Sequence, residues 1–257
     1  MGDRPATRAV SRGSPEHWTV RRFASLDSTN RWLLDEARKG APAGLVAVAD
    51  HQLSGRGRRG RAWEAPVGSS LLVSLLLRPR VAPDRLQTVT MAVALALADA
   101  LGATCDIDAR LKWPNDLVVG ERKIAGLLAE AELAGDKVLA LVVGVGCNLA
   151  QATFPGDLAS TATSCAIESG RAPERDALLD DFLDRVDQRL AEPFAAVVVD
   201  YRARLATLGR DVRVELDRRV VIGRAGDVDD CGRLVVTPTS GPAVAVAVGD
   251  VVHLRPA

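Results

Sequence analysis

A chain of 257 residues with a hydrophobic fraction of 47% suits one globular domain, or one large domain with a small appendage. Its 33 basic residues balance 33 acidic ones, so no overall positive field exists to hold a polyanion, which weighs against a dedicated nucleic-acid binder. No apolar run approaches the ~20 residues that span a bilayer. The separated cysteines Cys105, Cys147, Cys165 and Cys231, with only three histidines, support neither a zinc site nor a disulfide framework, and free thiols in a reducing cytoplasm are expected.

Residues 1–17 lack an apolar h-region and read as a disordered leader, not a secretory signal. Trp18–Phe23 alternates weakly and predicts a short strand. Asp27-Ser-Thr-Asn30 precedes an amphipathic run, Arg31–Arg38, with Ser28 or Thr29 placed to cap the helix. Leu45–Ala49 reads as a buried strand that delivers His51 and Gln52, and Ser70–Leu77 as another. Pro83–Leu101 carries apolar residues at helical spacing. Arg110–Pro114 leads to Asn115-Asp116 and the strand Leu117–Val119, closed by a turn at Gly120-Glu121. Ile124–Leu133 and Lys137–Val145 are the next two strands, Gln151–Arg171 is irregular, and Arg175–Leu190 and Phe194–Leu205 are helices. After Leu208 the texture changes to short apolar runs: Val212–Leu216, Val220–Ala225, Leu234–Pro238, Ala243–Val248 and Val251–Leu254. Their Gly, Asp and Pro turns mark a small β-barrel or sandwich, which divides the chain near Thr207–Arg210 into 18–207 and 208–257.

Between the second and third strands lies Gly55-Arg-Gly-Arg-Arg-Gly-Arg-Ala-Trp63, with Arg56, Arg58, Arg59 and Arg61 on three glycines. Glycine gives a ligand close access to backbone amides, and the arginine fork suits carboxylate and phosphate oxygens. No carboxylate lies between His51 and Trp63, so the loop is expected to lack neighbouring countercharge, to be mobile when empty and to order around an anion. A solvated basic loop, or an RGG-like nucleic-acid segment, is the competing reading of these nine residues.

Of the 33 basic residues only Lys39, Lys112, Lys123 and Lys137 are lysines, so the two cation types are not interchangeable here. Lys112-Trp-Pro-Asn-Asp116 gathers a cation, an amide and a carboxylate around a proline that stiffens the backbone, which suits a site and equally a plain turn. Arg122-Lys-Ile-Ala-Gly126 sets Lys123 just inside a strand as a fixed point charge, and the break at Gly126 marks close approach by a ligand or backbone. A strand-edge lysine that wards off aggregation has the same pattern. In Gly144-Val-Gly-Cys-Asn148 two alternate glycines thin one face of a strand before Asn148. With no Ser-His-Asp order, no H-E-x-x-H and no G-x-x-x-x-G-K-[ST], this set fits chemistry by charge stabilisation, such as activation of a carboxylate by ATP.

These motifs, from Asp27-Ser-Thr-Asn30 through Gln52 and the arginine loop to Asn148, occur in the order that resembles the biotin protein ligases, and the resemblance runs from Trp18 to the C-terminus. It implies an α+β fold: a catalytic domain with a mixed sheet and helices, related to class II aminoacyl-tRNA synthetases, followed by a small SH3-like β-barrel. It also implies a two-step reaction, in which biotin and MgATP give biotinyl-5′-adenylate, and a lysine of a biotin carboxyl carrier domain then takes the biotinyl group. By the same resemblance Ser28, Thr29, Asn30 and Gln52 contact biotin, with Gly126 beside it. Gly55, Arg56, Gly57 and Arg58 form the loop over biotin and adenylate. Arg61, Trp63, Asn115 and Asn148 face the ATP phosphates or adenine. Lys123 is the first catalytic charge, assisted by Lys112 and Arg58, with Asp116 orienting Lys112 or the acceptor lysine. No metal ligand is assigned; magnesium arrives on ATP.

Family members that double as repressors carry an N-terminal winged helix-turn-helix. Fewer than twenty residues precede Trp18 here, so no operator binding is expected. The family often pairs sheet edges into homodimers. A lipoate or octanoate ligase of the same superfamily is the alternative enzyme, disfavoured by the arginine loop and by Lys112–Asp116. An RNA-binding protein is the alternative of another class, disfavoured by zero net charge and an aromatic content of 4%.

Overall fold

Alternation along three adjacent strands decides what each side of the main sheet carries. The computed structural model describes residues 18–216, 219–247 and 249–254, and the leader expected at residues 1–17 lies outside them. Twelve strands and six α-helices are described: β1 (Thr19–Phe23), α1 (Thr29–Arg38), β2 (Leu45–Ala49), β3 (Ser70–Leu77), α2 (Leu86–Cys105), β4 (Arg110–Lys112), β5 (Asp116–Val119), β6 (Arg122–Ala134), β7 (Lys137–Asn148), α3 (Leu158–Thr161), α4 (Cys165–Ser169), α5 (Arg175–Ala191), α6 (Phe194–Arg204), β8 (Asp211–Glu215), β9 (Val220–Val228), β10 (Leu234–Pro238), β11 (Val244–Val246) and β12 (Asp250–His253). The first seven strands form one sheet in the order β1-β2-β3-β7-β6-β5-β4. Within this sheet only the β1–β2 pair is parallel, so the sheet is mixed as the resemblance implied.

One face of this sheet carries Val46, Val48, Leu71, Val73, Leu75, Val143 and Val145, packed with α2, α5 and α6 in a single apolar core. On the other face α1 lays Leu33, Leu34 and Ala37 on Ala47, Leu76, Ala140 and Val142. Farther along that second face the register aligns Ser74 with Gly144, Leu72 with Gly146, Gly126 with Gly146 and Asp116 with Gly126. Glycine takes the place of bulk there, and the floor of a cavity results.

Helix α2 corrects the reading that no segment could span a bilayer: Pro83–Cys105 is long and apolar enough by composition. Its residues are instead buried on nearly all sides between the sheet and α5, which explains an apolar helix without a polar face. Asp99 on this helix accepts from Arg189 Nε (3.0 Å) and Nη2 (2.7 Å) and from Arg204, stitching α2 to α5 and α6. Against the cost of burial, these arginines hold the Asp99 carboxyl below its ordinary range. Two further differences concern short elements. Arg110–Lys112 pairs with β5 as a three-residue strand, and the segment read as irregular contains α3 and α4, whose four and five residues are too few for a periodic signal.

The C-terminal strands form a five-stranded antiparallel sheet, β11-β10-β9-β8-β12. Trp113 fastens it to the rest. The residue is 1% exposed, its backbone N–H donates to Thr207 Oγ1 (3.1 Å) and its indole N–H donates to the Gly232 carbonyl (3.0 Å). The Trp113–Pro114 peptide is cis. Val212, Val214, Val221, Ala225, Val228 and Val251 belong to the same core as α2 and β3.

Candidate active site

The glycine floor, the start of α1, the arginine loop and the first residues of β12 enclose a cavity of about 450 Å³, a size that accommodates a small organic ligand. Ser28, Thr29, Asn30, Gln52, Arg56, Gly57, Arg58, Arg61, Trp63, Lys112, Asn115, Asp116, Lys123, Gly126 and Asn148 all line it. Of the loop residues named in the sequence, Gly55 and Arg59 do not. A side chain at Gly55 would collide with the Trp63 carbonyl, so that glycine serves loop closure.

At the α1 end, Ser28 is the helix cap: its backbone is extended and its hydroxyl accepts from the Arg31 N–H. Thr29 is turned to Gln52 instead, whose Oε1 accepts from the Thr29 N–H (2.8 Å) and hydroxyl (3.0 Å). Asn30 donates to the Leu128 carbonyl (3.0 Å) and to Glu130 Oε2 (2.8 Å). The Ser74 hydroxyl donates to Asn30 Oδ1 (2.6 Å) and lies 2.7 Å from Thr29 Oγ1. A methyl group at Gly144 would occupy the position of the Asn30 amide. Polar groups this deeply buried need partners, and here they find them in one another.

Over the middle of the floor lies Trp63. Cβ atoms added at Gly126 and Gly146 would both meet its indole, so the ring rests on bare backbone. Lys123 Nζ sits 5.4 Å from the centre of the Trp63 ring, within cation–π range, and 2.7 Å from Asp116 Oδ1. Asp116 thus pairs with Lys123, while Lys112 stands opposite Asp116 across the β4–β5 pair. A bulge in the β5–β6 pairing brings Lys123 opposite Val118, although Gly126 three residues later faces Asp116. Lys112, on β4, reaches the same cavity.

The arginine loop departs most from its reading in sequence. Countercharge, absent from its own stretch of chain, comes from afar: Arg56 pairs with Glu130 (3.3 Å), and Arg61 and Arg59 (3.6 Å) pair with Asp250. The loop is folded as a small hairpin, with Gly57 N–H donating to Arg61 O (2.7 Å) and Trp63 N–H to Gly55 O (2.9 Å). Arg59 turns it with a positive φ of 55°. Arg58 donates to Asn115 Oδ1 (3.3 Å) and to the Gly249 carbonyl (3.2 Å). Burial lowers the Arg58 pKa, opposed by the charges of Asp250 and Asp116. Asn115 is itself fixed, donating to Leu127 O (2.6 Å) while its carbonyl accepts from Leu127 N–H (2.8 Å). At the far end Asn148 donates to Thr163 O (2.9 Å).

Ser74, Glu130 and Asp250 escaped the sequence reading. Ser74 carried a signal, since it is a hydroxyl in the middle of the apolar run Leu71–Leu77 on the face shared with Gly144. Glu130 and Asp250 carried none, because their partners are brought to them only by folding.

Comparison with known proteins places this geometry. The Biotin/lipoate A/B protein ligase family matches residues 22–148, and the Biotin protein ligase C terminal domain matches residues 207–254. The biotin–(acetyl-CoA-carboxylase) ligase of Mycobacterium tuberculosis is 37% identical over 90% of this chain and 88% of its own. The enzyme of the same name from Paracoccus denitrificans is 35% identical over 86% and 95%. The solved structure of the Aquifex aeolicus biotin protein ligase, in complex with biotin and ATP, superimposes with a TM-score of 0.78 at 26% identity, covering 92% of this chain and 99% of that one. The order of the motifs, the mixed sheet with its appended small sheet and the extent of these matches lead to one conclusion: the chain belongs to the biotin protein ligase family.

Proposed function

We propose that this chain uses ATP to attach biotin, through biotinyl-5′-adenylate, to one lysine of a biotin carboxyl carrier domain. The observation that carries the reading is a single cavity in which a hydrogen-bonded amide end (Thr29, Asn30, Gln52) adjoins a cationic centre (Lys123, Lys112, Arg58). In the first step a carboxylate oxygen of biotin attacks the α-phosphorus of ATP. The bond from that phosphorus to the bridging oxygen breaks, and pyrophosphate leaves with the electron pair. Two anions must meet, so positioned cations lower the barrier. Lys123, held by Asp116 and Trp63, is the fixed charge at this centre; Lys112 and Arg58 support it, and Arg61 and Asn115 hold the nucleotide with Trp63 and Asn148. In the second step the neutral amine of the acceptor lysine attacks the acyl carbon, AMP departs and the amine releases a proton.

Ser28, Thr29, Asn30, Gln52 and Gly126 take the biotin end in this reading, under the loop Gly55–Arg58. Magnesium enters on the ATP phosphates. The same reading divides the chain into a catalytic unit, 18–207, and a small β unit, 208–257, and it includes a cytoplasmic setting. Self-association would use an outer strand such as β1 at the end of the sheet order.

The test is biotin-dependent exchange of labelled pyrophosphate into ATP, with lipoate and octanoate as parallel acids. Exchange with biotin only is expected. Exchange with lipoate or octanoate instead would transfer the assignment to the other ligases of the superfamily.

A further inference from the structure

Glu130 lies four residues beyond Gly126 on β6, on the cavity face of the sheet, and it divides its carboxylate between two parts of the site. Oε2 accepts from Asn30 Nδ2 (2.8 Å) at the α1 end, and Oε1 pairs with Arg56 (3.3 Å) in the arginine loop. The two partners differ in constraint. Asn30 is 3% exposed and held on three sides by Glu130, Leu128 O and Ser74, whereas the Arg56 side chain is 53% exposed and pairs with Glu130 at its outer edge. One carboxylate thus spans the rigid floor and the loop that covers it. A neutral amide at this position would keep a hydrogen bond to Asn30 and lose its attraction for Arg56.

We propose that Glu130 is a positioning residue for biotin capture: it sets the orientation of the Asn30 amide and anchors the arginine loop over the cavity through Arg56. This rests on the reading of the chain as a biotin ligase. Glu130 touches no reacting atom in this scheme. Its influence falls on how long the loop stays closed over bound biotin, hence on KM and on dissociation, and not on phosphoryl chemistry once both substrates are in place.

The experiment is pyrophosphate exchange with biotin titrated at saturating MgATP, for the native chain, E130Q, R56A and the double variant E130Q/R56A. Melting temperatures are recorded for each. The expected result for E130Q is a biotin KM raised about three- to fivefold, the effect of losing one part-exposed ion pair, with kcat within about twofold and the melting temperature unchanged. In the R56A background the same substitution should add nothing. E130D, with the charge retained on a shorter stem, should recover part of the loss. An unchanged KM for E130Q in a native chain that exchanges normally would overturn the proposal. An equal KM effect with and without Arg56, or a loss confined to kcat, would overturn it as well. A native chain that exchanges with no biotin would sink the parent reading first and this inference with it, and is recognised by the control alone.

Discussion

Gly126 and Gly146 face each other across β6 and β7, and the indole of Trp63 lies on the pair where two side chains would otherwise stand. The loop's only aromatic residue is thereby seated on the floor, beside Lys123, by atoms the sequence leaves out. The two glycines are not equivalent. A Cβ at Gly126 would first meet the flexible end of Lys123 at 2.8 Å and the ring at 3.2 Å, whereas one at Gly146 would run into the body of the indole. G146A is therefore expected to cost about 1–3 kcal/mol as an overpacked site, read as a melting temperature lower by several degrees, together with a raised KM for ATP. G126A should be milder in both respects. Equal effects in thermal scans and kinetics would show that the ring does not rest on the floor as described.

Lys123 is expected to matter to rate far more than to stability. Its ion pair with Asp116 is part-exposed, and such pairs contribute at most about 1 kcal/mol. K123A should melt close to the native chain while adenylate formation falls about 10²–10³-fold, the usual consequence of removing one preorganised charge from a reacting centre. K123R should also be impaired, because the larger fork cannot occupy the same point. D116N should lie between K123A and the native chain. Single-turnover formation of the adenylate measures all three, and native rates in K123A would remove Lys123 from the chemistry.

Trp113 should behave in the opposite sense. W113A removes a fully buried ring between the two sheets and should cost about 3–5 kcal/mol. W113F keeps most of the volume but leaves the Gly232 carbonyl without its donor, for about 1–3 kcal/mol. Urea denaturation separates the two contributions; a W113F chain as stable as the native one would mean that the indole N–H is dispensable.

The joint also carries a pH dependence. The His253 side chain is 7% exposed, with Nε2 3.2 Å from Thr207 Oγ1 and Nδ1 3.5 Å from Glu121 Oε2. Burial, with the charges of Lys112 and Arg210, holds its pKa below the ordinary 6.5, against the pull of Glu121. The unfolded chain therefore takes up a proton as pH falls through 6.5, while the folded chain does so only lower. The contribution is fully present above pH 6.5 and is lost as pH drops toward the folded value, with a slope of at most about 1.4 kcal/mol per pH unit. H253Q should flatten that part of the stability–pH curve. An unchanged slope in H253Q would assign the dependence to other groups.

How much of this was legible in the sequence follows from where the information sits. Strands such as Leu45–Ala49 and Ser70–Leu77 matched to the residue because apolar composition and their bounds are local properties. The motif residues were legible because the chemistry of charge and bare backbone needs distinctive types at fixed spacing. The pairing of Asp116 with Lys123 left no local sign, because the bulge in the β5–β6 pairing makes it. The countercharges of the arginine loop were out of reach for the same reason, since Glu130 is 74 residues from Arg56 and Asp250 is 189 residues from Arg61. Pairings made by topology leave no trace in local pattern.

The apolar packing that runs beneath Trp113 from α2 and β3 into Val212, Val214 and Ala225 gives the molecule no seam along which to part. Two segments distinguishable by texture thus share one interior, and calorimetric and van't Hoff enthalpies of unfolding should agree, as for a single cooperative transition. The cavity is walled by both segments, through Lys123 on one side and Asp250 and Val251 on the other. Occupation by a small molecule then raises the melting point of the whole by mass action, and amides in β8 and β9, which lie outside the cavity lining, should exchange their hydrogens more slowly whenever the pocket is filled.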